Sequence, residues 1–198
     1  RTNRPVTDRG MFIVGIGGTT RQESSSEKIL RTCLGLLSEK GSQVAMFSGK
    51  SLVLPMYEPG IIERNASASR LVDAIRCCDA LIVASPGYHG TVSGMVKNAL
   101  DYMEELRGDE RPYLHGRPVG CIACAQGWQA AVSTLASLRA IAHALRGWPT
   151  PMGAAINTSV GLFADNGQCI DRSTLQQLEI ICDQIFEFGK AGQAAPQT

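Results

Sequence analysis

The sequence predicts an α/β domain in which five parallel strands form a sheet covered by helices on both faces. Three observations carry this. Short apolar runs recur five times, and a segment with helical spacing of apolar residues follows each. The runs are continuously apolar instead of alternating, as strands buried on both faces are. No repeat, low-complexity block or linker interrupts residues 11–190, so one domain is expected there. Polar tails, expected to be flexible, flank it at 1–10 and 191–198.

The elements follow in order. "MFIVGIG" is the first strand. The first helix carries Ile29, Leu30, Cys33, Leu36 and Leu37 at helical spacing, with Gly41 as its stop. "QVAMFS" is the second strand, and the irregular "GKSLVLPMYEPG" leads to a short helix bearing Leu71, Ala74, Ile75 and Cys78. "ALIVAS" is the third strand, short and wholly apolar. The helix after it shows one stripe: Val92, Met95, Val96, Ala99, Leu100, Met103 and Leu106. "PVGCIACA" is the fourth strand, and Ala131, Leu135, Leu138, Ala142 and Leu145 mark its helix. "GAAINTS" reads as a weaker fifth strand, before a last helix with Leu175, Leu178, Ile181, Cys182 and Ile185.

Composition narrows the function. Hydrophobic residues make up 44% and charged residues 19% of the 198, enough apolar surface for a sizeable core. A formal net charge of +1 gives no electrostatic case for nucleic acid, and no basic run suggests a membrane surface. No stretch approaches the eighteen or so apolar residues of a membrane span. No charged segment leads into an apolar leader, and the seven cysteines are odd in number and scattered. A reducing, cytoplasmic setting is therefore expected instead of a disulfide framework. "CIAC", Cys121 to Cys124, has the spacing of a redox or metal pair. It lies inside a strand, however, where residues three apart point to opposite faces, so packing is the expected role.

In such sheets ligands sit beyond the carboxyl ends of the strands, where the strand order reverses. In the order 2-1-3-4-5, one of the two common ones, the loops after strands one, three and four lie side by side. Here these are "GGTTRQESS", "SPGYHGT" and "AQGWQ", rich in small, polar and aromatic residues.

The first loop has the look of an anion site. A Walker A loop needs GxxxxGK[ST], and no lysine is present. A dinucleotide fingerprint needs GxGxxG, but Thr20 occupies the third glycine position and strand two ends without an acidic residue. A monophosphate clasp suits the residues better. Thr19, Ser24, Ser25 and Ser26 offer short hydroxyl donors, and Arg21 offers a guanidinium fork. "SSSE" has the capping-box pattern, so the helix would start near Ser24 with its free N–H groups facing the anion. The alternative is an ordinary capped helix behind a flexible turn.

With these residues placed, the chain resembles the NADPH-dependent FMN reductase family over about residues 11–188. Gly18 to Ser24 is similar to the family's G-S-x-R-x-x-S. "SPGYHGTVSGMVKNALD" is similar to T-P-x-Y-N-G-S-x-P-G-x-L-K-N-A-x-D through Pro86, Tyr88, Gly90, Gly94, Lys97, Asn98, Ala99 and Asp101. "LPMY", residues 54–57, resembles L-P-x-Y. The chain departs at Gly87, where an acidic residue is frequent, at His89, where Asn is usual, and at Gln126 and Trp128, where smaller groups are common.

The resemblance implies a flavodoxin-like three-layer sandwich of order 2-1-3-4-5 and the cofactors FMN and NADPH or NADH. It implies hydride transfer from NAD(P)H to flavin N5, with the reduced flavin then released or oxidised by an acceptor. Thr19, Arg21, Ser24 and Ser26 would hold the FMN phosphate. Pro86, Gly87, Tyr88 and His89 would run along the isoalloxazine, with Gly87 and Gly90 letting backbone approach a flat ring. Ala125, Gln126 and Gly127 would touch its other end. No acid/base catalyst or metal ligand is called for. The partners implied are small molecules (flavin, NAD(P)H, quinones or azo compounds), a flavin-dependent monooxygenase, and further copies of the chain in a homodimer or homotetramer. Nucleic acid and membrane are not among them. Two rivals differ in chemistry: a quinone or azo reductase with tightly bound FMN, and a non-catalytic flavodoxin-like carrier or redox sensor. The near-neutral charge disfavours the carrier, since docking to basic partners uses acidic surface.

Overall fold

The computed structural model describes residues 10–60 and 65–194. A parallel sheet runs through the middle, with helices on each side. β1 is Phe12–Gly17, β2 Gln43–Ser48, β3 Ala80–Tyr88 and β5 Pro118–Ala125. Their spatial order is β2-β1-β3-β5, all paired in parallel. β5 then carries two short strands on its outer edge, β6 (Trp148–Pro149) and β7 (Ala154–Asn157), also parallel. The expected order 2-1-3-4-5 is therefore observed, with the fifth strand broken in two.

Sequence explains the break. Prolines flank Thr150, at 149 and 151, and cannot donate to a strand ladder. Side chains from two helices satisfy the backbone instead. Arg139 donates to the Thr150 carbonyl at 2.7 Å, and Gln184 Oε1 accepts from the Met152 N–H at 2.9 Å.

Helices α1 (Ser25–Glu39) and α5 (Arg172–Ala194) cover one face; α2 (Ala66–Cys77), α3 (Gly94–Asp101) and α4 (Trp128–Ala144) cover the other. The strands alternate between these layers. Val14, Ile16, Leu81, Val83, Val119 and Cys121 face α2–α4, while Ile13, Ile82, Ala84, Ile122 and Cys124 face α1 and α5. Cys121 and Cys124 thus sit in different cores. All seven cysteines are free, and burial pushes both of these thiols up to about 12.

Several boundaries differ from expectation. Val92 belongs to a two-residue strand, β4 (Thr91–Val92), and α3 starts two residues later, capped by Ser93. The stripe that began at Met95 continues past α3 through a 3-10 turn, Tyr102–Leu106, which buries Met103 and Leu106. Leu34, not Leu36, completes the buried stripe of α1. α5 reaches Ala194, beyond the expected domain end at 190. The rest of the expected tails, 1–9 and 195–198, lies outside the described residues. Among the described residues no helix is long and apolar enough to cross a membrane.

Candidate functional site

Parallel pairing levels the strands at their carboxyl ends. Gly17 of β1 stands beside Ala84 of β3, and Pro86 of β3 beside Cys124 of β5. The loops leaving these ends, 18–24, 87–93 and 126–127, are consequently neighbours. A hydrogen bond from the Gly18 N–H to the Ala84 carbonyl, 3.2 Å, ties the first to β3.

The first loop turns through two left-handed residues, Gly18 (φ 89°) and Glu23 (φ 57°). Glycine adopts this region freely, whereas glutamate does so at a cost and needs support. The Glu23 carboxylate lies 3.8 Å from Lys28 Nζ, and Gly167 of the loop after β7 packs beside both side chains. Thr19 shapes the turn: its hydroxyl accepts from the Arg21 N–H at 3.0 Å and lies 3.2 Å from the Arg21 carbonyl. Ser24 is the N-cap of α1 and accepts from the Glu27 N–H at 3.3 Å. The reciprocal half of the capping box is not formed, because the Glu27 carboxylate turns to Arg31 at 2.8 Å. Ser24 and Ser26 are both buried, with hydroxyls 3.4 Å apart. The exposed Arg21 guanidinium has no hydrogen-bond or ion-pair partner among the described residues.

The second loop is a β-hairpin, where the sequence reading expected only a loop. β3 runs past Ser85 to Tyr88 and pairs antiparallel with β4, Gly87 opposite Val92 and Tyr88 opposite Thr91. The two linking residues, His89 (φ 52°) and Gly90 (φ 89°), both have positive φ, as a type I′ turn requires. The signal was present: a two-residue x-Gly link between a Tyr and a Thr-Val. Ser85, fully buried, ties the base. Its hydroxyl donates to the Pro86 carbonyl at 2.9 Å and accepts from the Ser93 N–H at 3.0 Å. Tyr88, His89 and Gly90 are exposed at the tip, Tyr88 at 51%, so Tyr88 is not a core aromatic.

The third loop is short. Ala125 is buried, Gln126 is exposed, and Gly127 is the N-cap of α4 with no side-chain bond to the helix. The first N–H groups of α4 therefore point outward without a capping oxygen. Trp128 opens the helix and is 62% exposed. The loop after β7 closes the row, with the Thr158 N–H bonded to the Ala125 carbonyl at 2.7 Å.

Asn98 of the quoted motifs and Tyr102, which follows them directly, have structural roles left unassigned from sequence. Asn98, buried on α3, accepts from the Tyr57 N–H at 2.8 Å and donates to the Pro55 carbonyl at 2.9 Å. Tyr102 donates to the same carbonyl at 3.0 Å and packs edge-on against the Tyr57 ring. "LPMY" and "KNALD" are thus two halves of one clamp. Lys97 and Asp101 form an exposed i,i+4 pair at 2.6 Å.

The twelve residues proposed from sequence fall on the three adjacent loops at one sheet edge or on the strand ends and first helical turn that adjoin them, Pro86 in β3, Ala125 in β5 and Ser26 in α1. The backbone N–H groups of α1 and α4 start from the same edge.

Comparison with known proteins is consistent with this geometry. The profile of the NADPH-dependent FMN reductase family matches residues 11–160. An NAD(P)H-dependent FMN reductase of Pseudomonas aeruginosa is 29% identical over 118 residues, 58% of this chain and 60% of that protein. An FMN-dependent NADPH-azoreductase of Staphylococcus aureus is 30% identical over 154 residues, 77% of this chain and 74% of that protein. Among solved structures, the flavoenzyme NAD(P)H:(acceptor) oxidoreductase FerB of Paracoccus denitrificans superposes with a TM-score of 0.77. It shares 22% identity and the match covers 91% of this chain and 98% of FerB, a likeness that shows the fold.

Proposed function

The chain belongs to the NADPH-dependent FMN reductase family, and from that premise we infer that it binds FMN at the carboxyl edge of its sheet and uses NAD(P)H to reduce it. The observation that carries this reading is the adjacency of a hydroxyl-rich loop that caps α1 and a glycine-tipped hairpin on one sheet edge.

The donor set suits a phosphate monoester. Arg21 brings a guanidinium with no partner among the described residues, Ser24 and Ser26 bring buried hydroxyls, and the start of α1 brings backbone N–H groups and the positive end of its dipole. Thr19 acts by holding the Arg21 backbone in the turn. The edge of the hairpin, Pro86 to Gly90, carries only one bulky exposed aromatic, Tyr88, and its left-handed turn keeps the tip narrow. A flat ring would lie along it with backbone as its neighbour. Ala125, Gln126 and Gly127 would meet the far end of the ring, where the uncapped N–H groups of α4 favour negative charge. FMN, when bound, supplies the two-electron acceptor for the nicotinamide hydride and passes the electrons onward. The protein's part is placement and electrostatics, so no acid/base residue is required.

The acceptor reading gains support from the azoreductase name of the Staphylococcus aureus relative. Azo compounds and quinones are the acceptor classes proposed, besides flavin released to a monooxygenase. A homodimer or homotetramer is proposed as the working assembly. Its support is the uncharged outer side of α4, where Trp128 and Val132 are both more than half exposed.

The test is an anaerobic titration of the purified protein with FMN and NADPH, followed by visible flavin absorbance. Protein-dependent bleaching is the expected result. Flavin that binds and stays oxidised would leave a carrier or sensor, and flavin that fails to bind would overturn the reading.

A further inference from the structure

Thr134 lies in the second turn of α4, fully buried, and its hydroxyl has no hydrogen-bond partner among the described residues. A buried hydroxyl left unpaired is costly, and helices offer threonine an easy remedy: donation to the carbonyl four residues back. Thr32 on α1 takes it, donating to the Lys28 carbonyl at 2.9 Å. Ser137 on α4 does so too, donating to the Ser133 carbonyl at 3.0 Å. Thr134 does not. The Ala130 carbonyl, its natural acceptor, takes the Ser133 hydroxyl at 3.2 Å instead.

The Thr134 hydroxyl points at the hairpin. A Cβ built on Gly87 would stand 2.7 Å from Thr134 Oγ1, and 3.2 Å from both Ala125 Cβ and the Ala130 carbonyl oxygen. Gly87 therefore lies directly on α4, and a side chain at 87 would collide with this hydroxyl. The other buried hydroxyl without a partner among the described residues, Ser42, sits in the turn between α1 and β2, away from the site. Only the Thr134 hydroxyl is aimed at a loop of the proposed flavin edge.

We propose that Thr134 is a positioning residue for the flavin-edge hairpin, its hydroxyl held in reserve to bond the Gly87 backbone once FMN presses on the hairpin from outside. The proposal rests on the FMN-binding reading above. It explains why a costly unpaired hydroxyl occupies a site where valine has the same shape. It also explains why position 87 is glycine: the backbone must come within reach of α4.

The experiment compares Thr134→Val and Thr134→Ser with the unaltered protein, by melting of the FMN-free protein and by fluorimetric titration with FMN. Valine removes the unpaired hydroxyl, so the FMN-free Thr134→Val protein is expected to melt about 2–4 °C higher. FMN affinity is expected to fall about tenfold in Thr134→Val and to stay within about threefold of the original in Thr134→Ser. Stability and affinity moving in opposite directions, with rescue by serine, is a pattern that simple packing does not produce. Unchanged FMN affinity in Thr134→Val overturns the proposal. Equal loss in both variants also overturns it, since packing and not the hydroxyl would then be responsible. Failure of the unaltered protein to bind FMN overturns the underlying reading, and the proposal with it.

Discussion

At the scale of single residues, Arg21 has the clearest assignment. In its loop the Thr19 hydroxyl shapes the turn and the Ser24 hydroxyl caps α1, while the Arg21 guanidinium has no partner among the described residues. Replacing Arg21 by Ala should leave the fold intact and weaken FMN binding by roughly 1.5–3 kcal/mol, the range for a hydrogen bond to a charged group. Equilibrium dialysis with FMN checks this, and unchanged affinity would remove Arg21 from the phosphate site. Cys121 is the opposite case. It is buried against the α2–α4 layer with its thiol pushed up to about 12, whereas a reactive cysteine needs a lowered value and some exposure. Cys121→Ala should retain NADPH-dependent FMN reduction, measured as flavin bleaching. Loss of turnover in a folded variant would restore a redox role to the CxxC spacing.

At the scale of elements, the amino-terminal edge of the sheet depends on one buried arginine. Arg117 is 1% exposed and precedes β5. Its guanidinium donates to the carbonyls of Arg76 and Cys78, at the end of α2, and of Tyr113, in the approach to β5. Burial pulls its pKa below the ordinary guanidinium value. The last carbonyls of a helix need partners, and here one side chain joins the end of α2 to the approach to β5. Arg117→Met fills similar space but leaves the Arg76 and Tyr113 carbonyls unpaired. It should cost roughly 2–4 kcal/mol, one to two buried groups' worth, read from urea melts. FMN affinity should be spared, because the proposed site lies at the opposite end of the sheet.

At the scale of the whole molecule, the two cores treat the thiols alike. Cys78, Cys121 and Cys124 are all held at about 12 against an ordinary value of 9.0, with desolvation the leading cause. The sign is that of a raised folded-state value. Below about pH 9 the thiols are protonated in both states, and between 9 and 12 the unfolded chain alone releases protons. Stability should therefore be flat up to about pH 9 and fall from there to 12, as followed by urea midpoints across that range. Cys77, at the end of α2, is the one exposed cysteine of the seven. At pH 8 a disulfide reagent should label one thiol quickly in the native protein and the rest only on unfolding. Cys77→Ser should abolish the fast phase.

The sequence by itself determined the layers of this protein and gathered its proposed site residues at one edge of the sheet. Continuous apolar runs can be buried only between two helical layers, and the period-2 alternation already assigned Cys121 and Cys124 to opposite cores. Ser24 as the helix cap followed from local chemistry, since an N-cap bond spans three residues. Tertiary structure decided what depended on distant partners. "GAAINTS" could not show that the last strand is broken, because the groups that make the break tolerable are Arg139 and Gln184, from two different helices. "LPMY" and Asn98 read as separate motif fragments until α3 brought a side-chain amide to the backbone some forty residues away. Thr134 drew no notice on an apolar helix, since an unpaired hydroxyl is defined by everything packed around it. Local spacing governs periodicity and caps, whereas the satisfaction of buried polar groups is settled only when the chain closes on itself.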